Sequence, residues 1–326
     1  MTDALVFHSI LSAPLQGYLE EKKALGYKFE KGRMMFRRFD IFVQSWNLTT
    51  ICLPKELVLD WTKRNPNETI SNQSHRISLL RGLAEYMNRL GYLAYTYPRA
   101  LVTVDRYSYL PYIFSEEELR AIFNVCDCYP ATKVSPYRHL ILPLIFRMLY
   151  GCGLRISEAV NLTIEDVDLN QGTLLITDTK FGKERLIPMS LSLQERCRNY
   201  RMTVLADKSG SYPFYPSPHG GHYASSTIYS LFRKVLWQAG ISHSGKGPRL
   251  HDLRHTFSVH CLKKWVLTGR DLNNCLPYLS AYLGHEDLRG SQRYLRLTAD
   301  LYPDITAKVE ASCAWLIPEG QANETD

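Results

Sequence analysis

No apolar run in this 326-residue chain is long enough to cross a bilayer: the most hydrophobic stretch, His139 to Leu154, is too short and is interrupted by Pro143 and Arg147. The first residues lack a basic segment leading into an apolar one, so no secretory signal is expected. Cysteine is sparse and scattered. Its eight positions (Cys52, Cys126, Cys128, Cys152, Cys197, Cys261, Cys275 and Cys313) show no disulfide framework, and a chain of this length needs none to hold a core. Paired metal-ligand spacing is missing as well. Cys126-x-Cys128 has no second pair, and His219-x-x-His222 sits in a Gly/Pro-rich loop without evident partners, so no metal is expected at either. These absences predict a soluble, cytoplasmic protein with reduced thiols and no membrane contact.

Charge is not extreme either. A balance of 39 basic against 32 acidic residues gives +7, which favours a polyanionic partner but serves only as a supporting clue. The length suffices for two domains with separate cores.

Hydrophobic spacing predicts four helices before residue 97. Their apolar positions are Leu15, Leu19, Leu25 and Tyr27; Met35, Phe36, Phe39 and Phe42; Leu57, Leu59 and Trp61; and Ile77, Leu80, Leu83, Ala84 and Met87. Within them Lys22, Lys23, Lys28, Lys31, Arg33, Arg37 and Arg38 face a single acid, Glu30, with Tyr27, Phe29 and Phe36 interleaved. Such a run is often no more than a solvated helix face; it is also what a DNA backbone would contact. Pro98 and Pro111 mark an extended linker between Tyr97 and Tyr112, which places a boundary near 110 and divides the chain into domains 1–110 and 111–326.

The second domain reads as helical with one small sheet. Ser115-x-x-Glu118 is a capping box opening a helix to about Val125, and Ser225 to Ala239 and Leu253 to Trp265 carry helical spacing. Thr173 to Thr177 and Glu184 to Met189 have strand character. The fold class expected is mainly α with a small antiparallel β-sheet.

Five side chains of this domain suggest phosphodiester chemistry: Arg155, His251, Arg254, His285 and Tyr294. In-line attack on a phosphodiester loads negative charge onto the non-bridging oxygens, and guanidinium groups meet it with paired, permanently charged donors, so Arg155 and Arg254 would form a clamp. Histidine holds or moves a proton near neutral pH, which suits His251 and His285. A phenol of pKa about 10 needs neighbouring cations or a base before it attacks, and Tyr294 would sit beside that cluster. Each has a plainer reading: Arg155 as a surface arginine paired with Glu158 one turn on, the histidines as buried rings satisfied by carbonyls, Tyr294 as one of 21 tyrosines. The Gly-x-Gly lead-in at Gly151 and Gly153 favours close backbone approach to a ligand beside Arg155.

The ordered set resembles the tyrosine recombinases, the lambda-integrase-like site-specific DNA recombinases. Their first box matches Gly153-Leu154-Arg155-Ile156-Ser157-Glu158, and their second, His-x-x-Arg, matches His251 and Arg254. Leu283-Gly284-His285 then follows, with Tyr294 nine residues beyond that histidine as in the family. The family's hairpin lysine matches Lys180 in Thr177 to Pro188, with Lys183 held in reserve. The stretch after His285, with Arg289 and Arg293, departs from the Thr-rich run usual in the family; Tyr302 lies near but out of register.

That resemblance implies a helical core-binding domain, a catalytic domain, and cleavage of duplex DNA through a 3′-phosphotyrosyl link without ATP, metal or other cofactor. It implies a homo-tetramer on DNA recombination sites, with sister recombinases or accessory DNA-bending proteins as further partners, and integration, excision or transposition of a mobile element as the role. In it Glu158 holds or orients the first box; His255 and His260 read as structural residues, with a supporting role at the site as the alternative for His255. The tail from Asp304 to Leu316, with Ile305, Val309, Ala311, Trp315 and Leu316, is expected to dock on a neighbouring protomer as an amphipathic helix. Three rival readings are a type IB topoisomerase, a DNA-binding regulator with a dead site, and a metal-dependent nuclease.

Overall fold

Four helices with apolar stripes build the first unit of the computed structural model, which describes residues 6–27, 29–99, 110–177, 184–245, 247–285 and 294. Contacts divide the chain into Met1–Tyr109 and Leu110–Asp326. In the first unit α1 spans Ser12–Ala24, α2 Glu30–Gln44, α3 Lys55–Thr62 and α4 Ile70–Arg89. Leu15, Phe36, Phe39, Leu57, Leu80, Leu83, Ala84 and Met87 meet in its core, so the helical spacing of the sequence identifies the packed faces. Leu25 and Tyr27 depart from it: α1 stops at Ala24, Gly26 turns the chain at φ +81°, and both side chains stand exposed beyond the helix end. Leu59, 41% exposed, also lies off the apolar stripe of α3.

Two buried charges tie this unit together. The Asp40 carboxylate accepts from the backbone amides of His8 and Ser9 at 2.8 and 2.9 Å, joining the segment before α1 to α2. Arg76 of α4 donates to both oxygens of Glu68 and to the Trp61 and Lys63 carbonyls, so its charge is paired where it is buried.

In the second unit α5 spans Glu116–Asp127, α6 Arg138–Gly151, α7 Ile156–Asn161, β1 Val167–Asp168, β2 Thr173–Ile176, β3 Arg185–Pro188, α8 Leu191–Val204, α9 Ser225–Gln238, α10 Asp252–Leu267 and α11 Leu272–Leu283. The three strands form an antiparallel sheet in the order β1-β2-β3, with Leu174 opposite Ile187 and Ile176 opposite Arg185. A mainly α fold with a small antiparallel sheet is therefore what this sequence forms. The capping box opens α5 as the sequence predicts, Ser115 Oγ accepting from the Glu118 amide and the Glu118 carboxylate from the Ser115 amide.

The core of this unit is centred on α6, whose Ile141, Leu142, Ile145, Phe146 and Met148 are sealed among α5, α8, α9 and α10. A smaller cluster joins Val259 and Leu262 of α10 to Leu279 and Leu283 of α11 and to Tyr294. His260 is held by the Tyr150 hydroxyl at 2.9 Å, and His222 faces the Val160 carbonyl at 2.8 Å. Among the described residues no group of His, Cys, Asp or Glu could hold a metal, and no helix is long and apolar enough to cross a membrane.

Candidate active site

The start of α7, the first residue of β3, the first turn of α10 and the end of α11 meet around Glu158 and its arginines. Arg155 is the N-cap of α7, and Glu158, one turn in, reaches back so that its Oε2 accepts from the Arg155 amide at 2.8 Å while its Oε1 takes Arg155 Nη1 at 2.7 Å. The carboxylate thus fills the start of α7, where the sequence alone would leave free amides for a phosphate. Glu158 also accepts Arg185 Nη2 at 2.7 Å and lies 3.9 Å from Arg254 Nη1. One carboxylate, its side chain 3% exposed, therefore serves three guanidinium groups.

The same three arginines bind the end of α11. Arg185 Nε donates to the Tyr282 carbonyl at 3.0 Å, Arg254 Nη2 to Leu283 at 2.5 Å and Arg155 Nη2 to Gly284 at 3.0 Å. A helix C-terminus leaves its last carbonyls without intrahelical partners and carries partial negative charge, so cations belong there. This explains Leu-Gly-His physically. Leu283 is fully buried, Gly284 turns the chain out of the helix at φ +63°, and His285 is delivered beside the guanidinium cluster. A Cβ on Gly284 would lie 2.9 Å from Arg185 Nη1.

Gly153 serves Arg254 in a related way. Its φ of +58° and a Cβ position 2.6 Å from the Phe257 ring admit no side chain, and its carbonyl accepts Arg254 Nη1 at 2.6 Å. The close backbone approach that the sequence predicts toward a ligand is made instead to α10. Gly151 is an ordinary last residue of α6 with no tight neighbour.

Arg155 and Arg254 are brought together but are not equivalent. The Arg155 side chain is 30% exposed and commits two of its five N–H donors to Glu158 and Gly284, which leaves three for other acceptors. Arg254 is 2% exposed and acts from beneath the surface. Burial first, then Arg155, lowers its pKa to about 10, with Tyr294 and Glu158 opposing, so it remains charged at neutral pH.

His251 is the N-cap of α10, and its ring meets that of His255 edge-on at 4.7 Å. Burial, then Arg254 and Arg155, push its pKa down to about 4. The residue as a whole is exposed, so the guanidinium charges of Arg254 and Arg155 are the more durable cause. His285 is also lowered to about 4, by burial and then by Arg254, Arg155, His251 and Arg185. Both rings are accordingly neutral at pH 7. The Glu158 carboxyl is held below its ordinary value: burial alone would raise it, but hydrogen bonds from Arg185 and Arg155 outweigh that.

Tyr294 lies in the same place. It is 2% exposed, its hydroxyl is 3.2 Å from His255 Nδ1, and its ring is roughly parallel to that of His285 at a centroid distance of 6.2 Å. Arg155, Glu158, His251, Arg254, His255, His285 and Tyr294 thus form one cluster, and Arg185 is a member that motif spacing missed. Lys180 and Lys183 lie outside the described residues, as do Arg289, Arg293, Tyr302, Cys313 and the tail from Asp304 to Leu316.

In the first unit, Lys31, Arg37 and Arg38 are exposed on α2 together with Met34 and Ile41. Lys23 is exposed, Lys22 lies over the Tyr18 ring at 5.0 Å, and Arg33 pairs with Glu30 at 3.3 Å. Lys28 falls outside the described residues.

Residues 113–300 match the Phage integrase family. The chain is 30% identical over 308 residues to "Putative integrase/recombinase y4rB" of Sinorhizobium fredii, which spans 91% of this chain and 96% of that protein. It is 30% identical over 233 residues to tyrosine recombinase XerC of Oceanobacillus iheyensis, covering 70% of each. Among solved structures, XerH site-specific recombinase bound to palindromic difH substrate superposes with a TM-score of 0.61 at 19% identity, over 88% of this chain and 78% of that one. A lambda integrase(75-356) dimer bound to a COC' core site gives 0.60 at 16% identity, over 86% and 94%. These last two likenesses are of fold.

Proposed function

This chain belongs to the phage integrase family, and from that premise we propose that it cleaves and rejoins DNA strands as a site-specific tyrosine recombinase, with Tyr294 as nucleophile. The observation that carries this reading is the meeting of Tyr294 with His255, His285 and Arg254 around a carboxylate-organised arginine cluster.

The chemistry follows from the side chains. The Tyr294 oxygen gives up its proton and attacks phosphorus, the bond between phosphorus and the 5′ oxygen breaks, and the departing 5′ oxygen takes up a proton. A 3′-phosphotyrosyl link and a free 5′-hydroxyl result. Attack by a 5′-hydroxyl of a partner strand on that link reverses the step and regenerates the tyrosine, so bond energy is conserved and no nucleotide is consumed. Arg155 meets the non-bridging oxygens with its remaining donors, and Arg254 adds charge from beneath the surface. With one carboxylate against three guanidinium groups, the cluster carries a net positive charge of about two before a phosphate arrives. The neutral imidazoles can each accept the phenolic proton or donate to the phosphate. Lys180, or Lys183 in its stead, is the amine proposed to protonate the leaving oxygen.

We assign the first unit to core DNA binding and the second to catalysis. The substrate is duplex DNA, two sites are joined by four protomers, and sister recombinases or accessory DNA-bending proteins complete the assembly where a site requires them. The cytoplasm is the compartment and mobile-element movement the role that the integrase relatives favour. A nicked suicide duplex from the flanks of the gene tests the chemistry. Wild-type protein should form a covalent adduct that mass spectrometry maps to Tyr294, and Tyr294→Phe should form none. An adduct elsewhere, or cleavage lost on addition of EDTA, refutes the assignment.

A further inference from the structure

Arg185 lies within the Thr177 to Pro188 hairpin but is not among the residues that the sequence predicts at the site, yet it contacts two separate parts of it. It is the first residue of β3 and pairs with Ile176, so it closes the described end of the β2–β3 hairpin ladder, on the side from which the chain runs through Lys180 and Lys183. Its side chain is 9% exposed. The guanidinium spans two acceptors far apart in sequence: Nε bonds the Tyr282 carbonyl 97 residues away, and Nη2 bonds Glu158 27 residues away. Nη1 is buried and has no hydrogen-bond partner among the described residues; it is pressed toward Gly284, where even a methyl group would come within 2.9 Å.

A buried guanidinium with an idle donor is an expensive way to fill space, and an aliphatic side chain would do so with less desolvation. A planar fork holds a carboxylate and a helix-end carbonyl at once in one fixed geometry, which a flexible ammonium does not impose. We propose that Arg185 is a positioning residue of the cleavage reaction: by gripping Glu158 and the end of α11 together, it registers the hairpin against the segment that carries His285, and holds Arg155 in the same frame. The inference deepens the recombinase reading and rests on it.

The role acts through Glu158. That carboxylate is faced by Arg155 at the start of α7, Arg185 from β3, Arg254 from α10 and, through its charge, His251; α11 contributes carbonyls. Of the interactions that keep Glu158 ionised, the Arg185 hydrogen bond is the largest. Without it Glu158 takes up a proton at higher pH and releases Arg155 sooner on acidification.

Single-turnover adduct formation on the gene-flank suicide duplex, with DNA affinity measured by fluorescence anisotropy on the same duplex, tests this in the full-length protein. Arg185→Gln should cleave about 100-fold more slowly, the scale expected when a clamp is mispositioned. Its DNA Kd should stay within about twofold, and the acid limb of its rate profile should move to higher pH. In a Glu158→Gln background the same replacement should cost no more than about a further twofold, because the two residues act as one. Arg185→Lys, which keeps the charge and loses the fork, should resemble Arg185→Gln in rate and wild type in DNA binding, and it decides alone if the glutamine variant does not fold. Wild-type cleavage in Arg185→Lys, equal loss of binding and cleavage, or full multiplication of the two defects overturns the role of Arg185. Wild-type protein forming no Tyr294 adduct would instead bring down the recombinase reading itself.

Discussion

Replacing Glu158 by glutamine takes one negative charge from the centre of three guanidinium groups and leaves the shape nearly unchanged. Glu158 accepts from the Arg155 amide at 2.8 Å, from Arg155 Nη1 at 2.7 Å and from Arg185 Nη2 at 2.7 Å, and lies 3.9 Å from Arg254 Nη1. A glutamine keeps one acceptor oxygen and turns an amide toward the remaining donors, so at least one charge-assisted bond disappears and two donors are set against each other. Hydrogen bonds to charged groups contribute about 1.5–3 kcal/mol each, and stranding a buried charge costs about 3–5 kcal/mol. Arg185 and Arg254 are 9% and 2% exposed, so solvent offers little relief and the upper range applies to the pair. At about 2–4 °C per kcal/mol for a unit of this size, the second unit should melt roughly 6–20 °C lower. Calorimetry on the full chain would resolve that transition, and sulfate, an anion able to sit between the arginines, should recover part of the loss. A Glu158→Gln protein melting within about 2 °C of wild type, with no sulfate effect, would refute the hub.

Acidification provides a second check. His251 and His285 have pKa values near 4 in the folded protein against 6.5 when unfolded, so the unfolded chain binds more protons between those limits. Stability is complete above about pH 6.5 and drains as pH falls toward 4. His285→Asn should flatten the slope of melting temperature between pH 7 and 5; an unchanged slope contradicts it. Gly284→Ala forces a side chain to φ +63° against Arg185 Nη1 and should lower the urea midpoint of the second unit by the equivalent of about 1–3 kcal/mol; an unaltered midpoint would show that the turn relaxes freely. Changing Lys31, Arg37 and Arg38 together to alanine should reduce the slope of log affinity for duplex DNA against log salt by about 0.9 for each phosphate that is no longer neutralised. A slope equal to that of wild type would remove α2 from the DNA surface.

The sequence was most legible where punctuation is local. Ser115 with Glu118 opens α5 from four residues alone, and Phe36, Phe39, Leu80, Leu83 and Met87 mark packed faces because helical period and burial coincide. The site was legible in its chemistry, since Arg155, His251, Arg254, His285 and Tyr294 keep an order that only their meeting in space explains. Arg185 was not. A basic residue opening a short strand has no local reason to be buried, and its partners stand 27 and 97 residues away. The helix α11 was hidden by Pro277 and by Asn273 and Asn274, which belong to a first turn capped by Asp271. Leu25 and Tyr27 misled because apolar spacing continues past the point where Gly26 ends the helix.

One consequence of the α11 terminus concerns which sequence changes the catalytic unit tolerates. The three acceptors at Tyr282, Leu283 and Gly284 are peptide oxygens, so swapping the residue types there leaves the anchoring atoms in place so long as the turn survives. Adding or deleting a single residue within the helix is another matter, for each step rotates the terminus by about 100° and carries every anchor off its mooring at once. Reading-frame-preserving indels in this stretch, rather than point changes, are therefore the lesions the molecule is least equipped to absorb.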